Sequence, residues 1–255
     1  MRRHALRLIV FALVSSLLTV VGIVAFRTLT TPPHRTTPIY DPPVLAGQPV
    51  YGACSGGVYA RKGDVIVVTS TGHCTNEGTV ATDPDGSGVR GVFGPAARDA
   101  SCPHPGHECA ASDINYLVVA TDRIPWGHLN EVDMGVGGYR TIAPGTQALS
   151  CADVEVGDAA EINGRDDYRS GHVVEKGDND KDPAQDGMYF PCMIAADIHV
   201  ATGDSGGIVL VRGIPAGVTS RSFAGYLGFT PLAEGLAELG LTMCDTPDCG
   251  LTPGG

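Results

Sequence analysis

Positive charge is scarce in this sequence: 17 Lys and Arg face 28 Asp and Glu over 255 residues, a net charge of −11. That is the wrong sign for tracking a phosphate backbone by counterion release, so nucleic acid is excluded as a partner. Charge of either sign amounts to only 18% and tryptophan occurs once, yet 43% of the residues are hydrophobic. Such a chain is too apolar to stay disordered and too poor in Ala, Glu, Lys and Leu repeats to form a coiled coil. No segment recurs with a period of about 20 to 50 residues, which removes solenoids and propellers. At this length one globular body is the default, and all-β barrels often fill it.

What is present begins at the N-terminus. Behind Arg2, Arg3 and Arg7 runs an uncharged apolar stretch from Leu8 to Phe26, 19 residues and long enough to cross a hydrocarbon core. It exceeds a usual signal-peptide core, and Ile23-Val24-Ala25 is a poor cleavage site, so a retained anchor is preferred to a cleaved signal. The arginines would stay inside and the rest would be exported, as a membrane-held or a secreted protein. Residues 1–26 are therefore read as cytoplasmic tip and transmembrane signal-anchor. Residues 27–47, rich in Thr and Pro with Pro32-Pro33 and Pro42-Pro43, are read as an extended linker. The body that follows keeps 12 basic and 27 acidic residues, a net of −15.

In the body, short β-branched runs recur between Gly, Asp and Pro: Asp64 to Ser70, Val89 to Phe93, Ile114 to Ala120, Ala159 to Asn163 and Gly207 to Arg212. Strands without intervening helices predict an all-β protein of antiparallel sheets. The one helical pattern, Pro231 to Leu239, sets Leu232, Leu236 and Leu239 on one face. All eight cysteines lie beyond the apolar run, where an oxidising compartment favours disulfides. Eight cysteines allow 105 connectivities. Nearness suggests Cys102 with Cys109 and Cys244 with Cys249, which leaves Cys54 with Cys74 and Cys151 with Cys192. Cys102, His104, His107 and Cys109 also make an acceptable zinc set, but export favours the disulfide, and no metal or other cofactor is expected. Asp178 to Asp182 imitates half a calcium loop, then fails at Pro183 and Tyr189, where glycine and glutamate are needed.

Three segments carry chemistry. Thr202-Gly203-Asp204-Ser205-Gly206-Gly207 flanks a serine with glycines, whose missing Cβ lets backbone N–H groups turn toward a reacting carbonyl oxygen. Thr71-Gly72-His73-Cys74 ends a strand with a histidine beside a cysteine, a rigid mount for a general base. Asp113 stands at the mouth of another strand, placed to orient an imidazole. Singly these are ordinary turns and caps; in the order His, Asp, Ser in one exported β-rich chain they point to nucleophilic catalysis. The Gly203-x-Ser205-x-Gly207 spacing also fits a nucleophile elbow, but that arrangement needs a histidine after the serine and the last histidine is His199.

These residues resemble the chymotrypsin-like serine peptidases, and among them the bacterial streptogrisin type, over about residues 48 to 243. Cys54-Ser55-Gly56-Gly57 with Gly72-His73-Cys74 is similar to the family's first disulfide and histidine segment, and Gly203 to Gly207 to its serine segment. Gly217 to Ser220, with Phe229 to Leu232 and the closing helix, looks like its C-terminal stretch. The resemblance implies two antiparallel, six-stranded-type β-barrels with a C-terminal helix: a His/Asp barrel over 48–125, a Ser barrel over 146–243, and a disulfide-closed tail over 244–255. It implies Ser205 as nucleophile, His73 as base, Asp113 as orienter, the N–H groups of Gly203 and Ser205 as oxyanion hole, and Ser220 near substrate and Asp113. Ser222, Gly225 and His199 would line the substrate pocket, His199 favouring a polar or acidic residue. The expected activity is that of a trypsin-like serine endopeptidase acting on polypeptides as a monomer; the alternative is a protease-shaped binding module with a silent site. Departures are Ile208 in place of proline, no cysteine bracing the pocket, no Ile-Val-Gly-Gly start, and Ile162-Asn163 where an arginine usually pairs with the aspartate before the serine. Arg165 is the nearest substitute partner for Asp204.

Overall fold

The computed structural model describes residues 43–52, 54–98, 108–165, 168–178, 188–223 and 225–252. The predicted anchor and most of the predicted linker lie outside them, as does Cys102. Among the described residues no helix is long and apolar enough to cross a membrane.

The body holds two six-stranded units. The first is an antiparallel sheet in the order Thr242–Met243, Tyr59–Lys62, Val65–Ser70, Asn115–Val119, Val89–Phe93, Val80–Thr82. The second is a closed barrel in the order Ala159–Asn163, Tyr168–Gly177, Met193–His199, Tyr226–Pro231, Ile214–Phe223, Ile208–Val211. Closure leaves no edge strand to pair with other chains. The strand Ile208–Val211 shows why a run can be apolar at every position: Ile208 and Leu210 enter the core shared with the first unit, while Val209 and Val211 enter the core of the barrel. Side chains alternate with a period of two, so both faces demand hydrophobic residues when both are covered.

Contacts near both ends of the body tie it together. The final strand Thr242–Met243 pairs with Tyr59–Lys62, and Leu232, Leu236, Leu239 and Leu241 belong to the core that the first unit shares with Ile208, Leu210 and Val218. The helix thus packs where the two units share a core, against the strand Ile214–Phe223 of the barrel, and the strand after it pairs with the first unit. Val44 and Ala46 are buried and the Val44 N–H bonds the Arg123 carbonyl at 3.3 Å, so these last residues of the expected linker pack on the body. The tail is likewise built in: Cys244 is buried and the Leu129 N–H donates to the Pro247 carbonyl. The single described α-helix, Leu232–Leu239, ends on Gly240 in the left-handed conformation, which suits a residue without Cβ. Gly235 sits so close to Ile114 and Ser112 that an added Cβ would lie 2.6 Å from Ile114 Cγ2, so the helix packs directly on the loop carrying Asp113.

Disulfides join Cys54 to Cys74, Cys151 to Cys192 and Cys244 to Cys249. The expected partner of Cys109 lies outside the described residues. So do His104 and His107, and with them the zinc alternative.

Candidate functional site

The histidine strand Val65–Ser70 stops at a turn whose next residues are Thr71, Gly72, His73 and Cys74, and the bond from Cys74 to Cys54 pins that turn. His73 Nδ1 lies 2.7 Å from Asp113 Oδ2, and the His73 backbone N–H donates to Asp113 Oδ1 at 3.1 Å. One carboxylate thus grips both the ring and the main chain. Nε2, on the far side of the ring, lies 3.1 Å from Ser205 Oγ. With Asp113 ionised, Nδ1 carries the proton and the Nε2 lone pair faces the hydroxyl.

Asp113 is buried, which by itself raises a carboxyl pKa. Hydrogen bonding and charge from His73, then hydrogen bonds from Ser220 and Thr71, outweigh that and hold it below the usual carboxylate range. Ser220 Oγ donates to Oδ2 at 2.6 Å. Thr71 Oγ1 also lies 3.0 Å from His73 Nδ1. The loop itself is held from behind, where the Asp113 N–H donates to Thr230 Oγ1 at 3.0 Å and Ser112 Oγ donates to the same oxygen at 2.9 Å.

On the serine side the chain needs glycine at two points. Gly203 has φ +111°, a region L side chains rarely adopt, and an added Cβ would lie 2.6 Å from Arg165 Cδ. Gly206, at φ +85°, faces the Ser55 carbonyl and Ser70 Oγ at 2.3 and 2.4 Å from where a Cβ would stand. The Asp204 carbonyl accepts the Gly207 N–H at 2.9 Å, so across that trans peptide the Ser205 N–H points the opposite way. Among the described residues neither the Ser205 nor the Gly203 N–H has an acceptor. Two donors left open beside a serine hydroxyl are what a developing oxyanion requires.

The expected ion pair at Asp204 is corrected. Arg169 on the strand Tyr168–Gly177 takes it, with Nη2 2.8 Å from the Asp204 carboxylate, while Arg165 supplies its backbone N–H at 3.1 Å and its stem to Gly203. The Ala201 N–H completes the cage at 2.7 Å. Removing one member of a buried pair strands the other charge, at a cost of roughly 3–5 kcal/mol when burial is full. Arg169 is 23% exposed, so Arg169→Met should cost somewhat less. Urea unfolding should nevertheless give a clearly lower midpoint for Arg169→Met than for Arg165→Met; equal midpoints would contradict the assignment.

His199, Ser222 and Gly225 come together at one spot. The Gly225 N–H donates to Ser222 Oγ at 3.0 Å, and a Cβ on Gly225 would stand 3.6 Å from His199 Nδ1. The exposed His199 ring stacks on Tyr226 at 4.9 Å between centroids. Ser220 has its hydroxyl on Asp113. Thr71, Thr230, Arg169 and Ser55 were not singled out by the sequence, although all but Arg169 lie in segments that it marked. Among the described residues no group of three metal-binding side chains is present, and the calcium-like segment lies outside them beyond Asp178.

No family model and no curated protein matches the sequence. Solved structures do. One is a glutamic-acid-specific serine protease described as using a histidine triad in substrate binding: 26% identity, TM-score 0.60, covering 78% of this chain and 100% of that one. The fold is chymotrypsin-like. Protease A of Thermobifida fusca matches at 21% identity and TM-score 0.58, over 78% of this chain and 97% of that one. Cellulomonas bogoriensis chymotrypsin matches at 21% and 0.57, over 80% and 99%. In the chymotrypsin-like frame of this chain, His73 and Asp113 follow or precede strands of the first unit, Ser205 precedes a strand of the barrel, and the three side chains meet in one chain of contacts.

Proposed function

We propose that this protein is an exported serine endopeptidase in which Ser205 attacks the peptide carbonyl, His73 takes and returns the proton, and Asp113 orients and stabilises the imidazolium. The observation that carries this reading is the unbroken contact from the Asp113 carboxylate through the His73 ring to Ser205 Oγ, at 2.7 and 3.1 Å. Attack would form a tetrahedral intermediate whose oxygen takes the open N–H groups of Gly203 and Ser205. Collapse would expel the amine, protonated by His73, and leave an acyl group on Ser205. Water activated by the same imidazole would then release the acid. Both solved relatives of bacterial name and the glutamate-specific enzyme are proteases, which supports a polypeptide substrate. His199, Ser222 and Gly225 are proposed to face the residue before the cleaved bond, and the streptogrisin-like subtype, the export segment and a monomeric body are part of the same reading.

The deciding experiment is to treat the purified body with a fluorophosphonate probe and map the adduct by mass spectrometry. Modification confined to Ser205, together with peptide hydrolysis, is the expected result. An unreactive Ser205 would favour the protease-shaped binding module instead.

The pH dependence has a defined sign. Only neutral imidazole accepts a proton, so kcat/KM should fall as pH drops from about 8 to 5, the range in which histidines titrate. Asp113, held below the usual carboxylate range, stays ionised throughout that interval. Its contribution to stability is present above the ordinary carboxylate pKa and is lost only as pH falls through its lowered folded value. Activity should therefore fade at a higher pH than the fold; a flat rate profile over that range, with the protein folded, would remove His73 as the base.

A further inference from the structure

The dipeptide Cys54-Ser55 is the point where the histidine turn and the serine loop are fastened to each other. Cys54 is bonded to Cys74, the neighbour of His73. Ser55 is fully buried and reaches the serine loop twice: its N–H donates to the Ser205 carbonyl at 2.7 Å, and its Oγ donates to the Gly203 carbonyl at 2.8 Å. Its own carbonyl accepts Ser70 Oγ, at the end of the histidine strand, at 2.8 Å.

These contacts bracket the oxyanion donors. Three consecutive peptide planes run from Gly203 to Gly206. In the first, the Gly203 carbonyl is held by Ser55 Oγ and the Asp204 N–H by the Ala201 carbonyl at 3.2 Å. In the third, the Ser205 carbonyl is held by the Ser55 N–H and the Gly206 N–H by the Thr219 carbonyl at 2.8 Å. The middle plane carries the Ser205 N–H. Gly203, the other donor, has a conformation that glycine can leave easily, because φ of either sign is open to it. Its carbonyl has no other described hydrogen-bond donor than Ser55 Oγ.

We infer that Ser55 is a positioning residue of this site: its hydroxyl holds the Gly203 carbonyl inward and thereby keeps the Gly203 and Ser205 N–H groups converged on the developing oxyanion. The inference rests on the reading of Ser205 as nucleophile. Ser55 touches no substrate atom; it acts through the Gly203 to Ser205 backbone.

Removing an oxyanion donor outright costs about 10²–10³ in kcat. Loosening one by Ser55→Ala should cost about 10- to 100-fold in kcat, with KM within about twofold, since the ground-state carbonyl gains less from these donors than the transition state does. A peptide boronate, whose tetrahedral oxygen would occupy the same position, should lose affinity by the same factor as kcat/KM. The acid limb of the pH profile should not move, because the His73 and Asp113 contacts are untouched. A purely structural role would instead change the thermal midpoint, KM and the acid limb without that match to the boronate. Because Ser55→Ala leaves a buried void, Ser55→Thr and Ser55→Val form a second test of equal shape, in which only the former keeps a donor; Ser55→Thr should retain more kcat. Equal kcat in the Thr and Val variants, or Ser55→Ala within about twofold of the parent in both kcat and boronate affinity, overturns the inference. If the parent itself neither hydrolyses peptides nor takes the fluorophosphonate on Ser205, the underlying function fails; a reactive parent beside an unaffected Ser55→Ala overturns this inference alone.

Discussion

Ser205→Ala is expected to lower peptide hydrolysis by about 10³- to 10⁶-fold while leaving the fold intact, the range seen when one member of a catalytic unit is removed. Ser205 is partly exposed, and its hydroxyl has one described hydrogen-bond contact, to His73 Nε2 at 3.1 Å. Losing that oxygen therefore creates no core void and strands no buried partner. The loss should be chemical and not structural: circular dichroism and the urea midpoint should match the parent. His73→Ala should fall to a similar floor, and the double variant should be no worse than about either single one, because without Ser205 the base has no proton to take. Residual hydrolysis would come from binding and the open N–H pair. A double variant slower than the singles by the product of their separate losses would show that the two side chains act independently, and would end the reading of a Ser-His unit.

Asp113→Asn should lower kcat by about 10⁴-fold, the loss expected when the carboxylate orienting an imidazole becomes an amide. The local reason is visible in the donors around it. His73 Nδ1, the His73 main-chain N–H and Ser220 Oγ all converge on the two carboxylate oxygens. An amide offers one acceptor oxygen and one nitrogen that only donates, so at least one of these donors must turn away. Where the nitrogen faces the ring, Nδ1 must accept, the proton moves to Nε2, and the lone pair that should take the Ser205 proton is lost. Three donors converging on a buried carboxylate also mean that Asp113→Asn should reduce stability, unlike Ser205→Ala. Asp113→Ala should be worse in unfolding but comparable in kcat. The check is kcat against pH for the folded variant. Recovery of rate at high pH would show that the wrong tautomer, not a collapsed loop, limits turnover. If Asp113→Asn keeps activity within about tenfold of the parent, Asp113 does not orient His73 in the reaction.

The order His73, Asp113, Ser205, the strand runs and the closing helix were legible because each is a local property. A strand end, a glycine-flanked turn and an apolar stripe are written in four to nine consecutive residues, and the physics that shapes them acts over that span. Ala159–Asn163 and Val89–Phe93 have the bounds their β-branched runs indicate. The strand Tyr168–Gly177 left no such mark: only Val173 of its ten residues is fully buried, so no alternation betrays it. That omission also explains Arg169. Arg169, six positions beyond the predicted strand that ends at Asn163, gave no reason to be chosen over Arg165, and only the barrel register turns it toward Asp204, 35 residues away.

The remaining features belong to the tertiary structure for the same reason. Ser220 reaches Asp113 across 107 residues, Thr230 reaches it across 117, and Ser55 reaches Gly203 across 148. Serine and threonine hydroxyls are common, and nothing near them in the chain distinguishes one that meets a buried carboxylate from one that meets water. Their roles arise when closure of the barrel and packing of the C-terminal helix into the core that both units share bring distant backbone together. The chain alone therefore determined which side chains are candidates for reactive chemistry and that they sit beside strand ends and glycine turns. Folding decided which hydroxyls, cations and peptide planes hold them in place, because hydrogen bonds form by distance in space and carry no trace of distance in sequence.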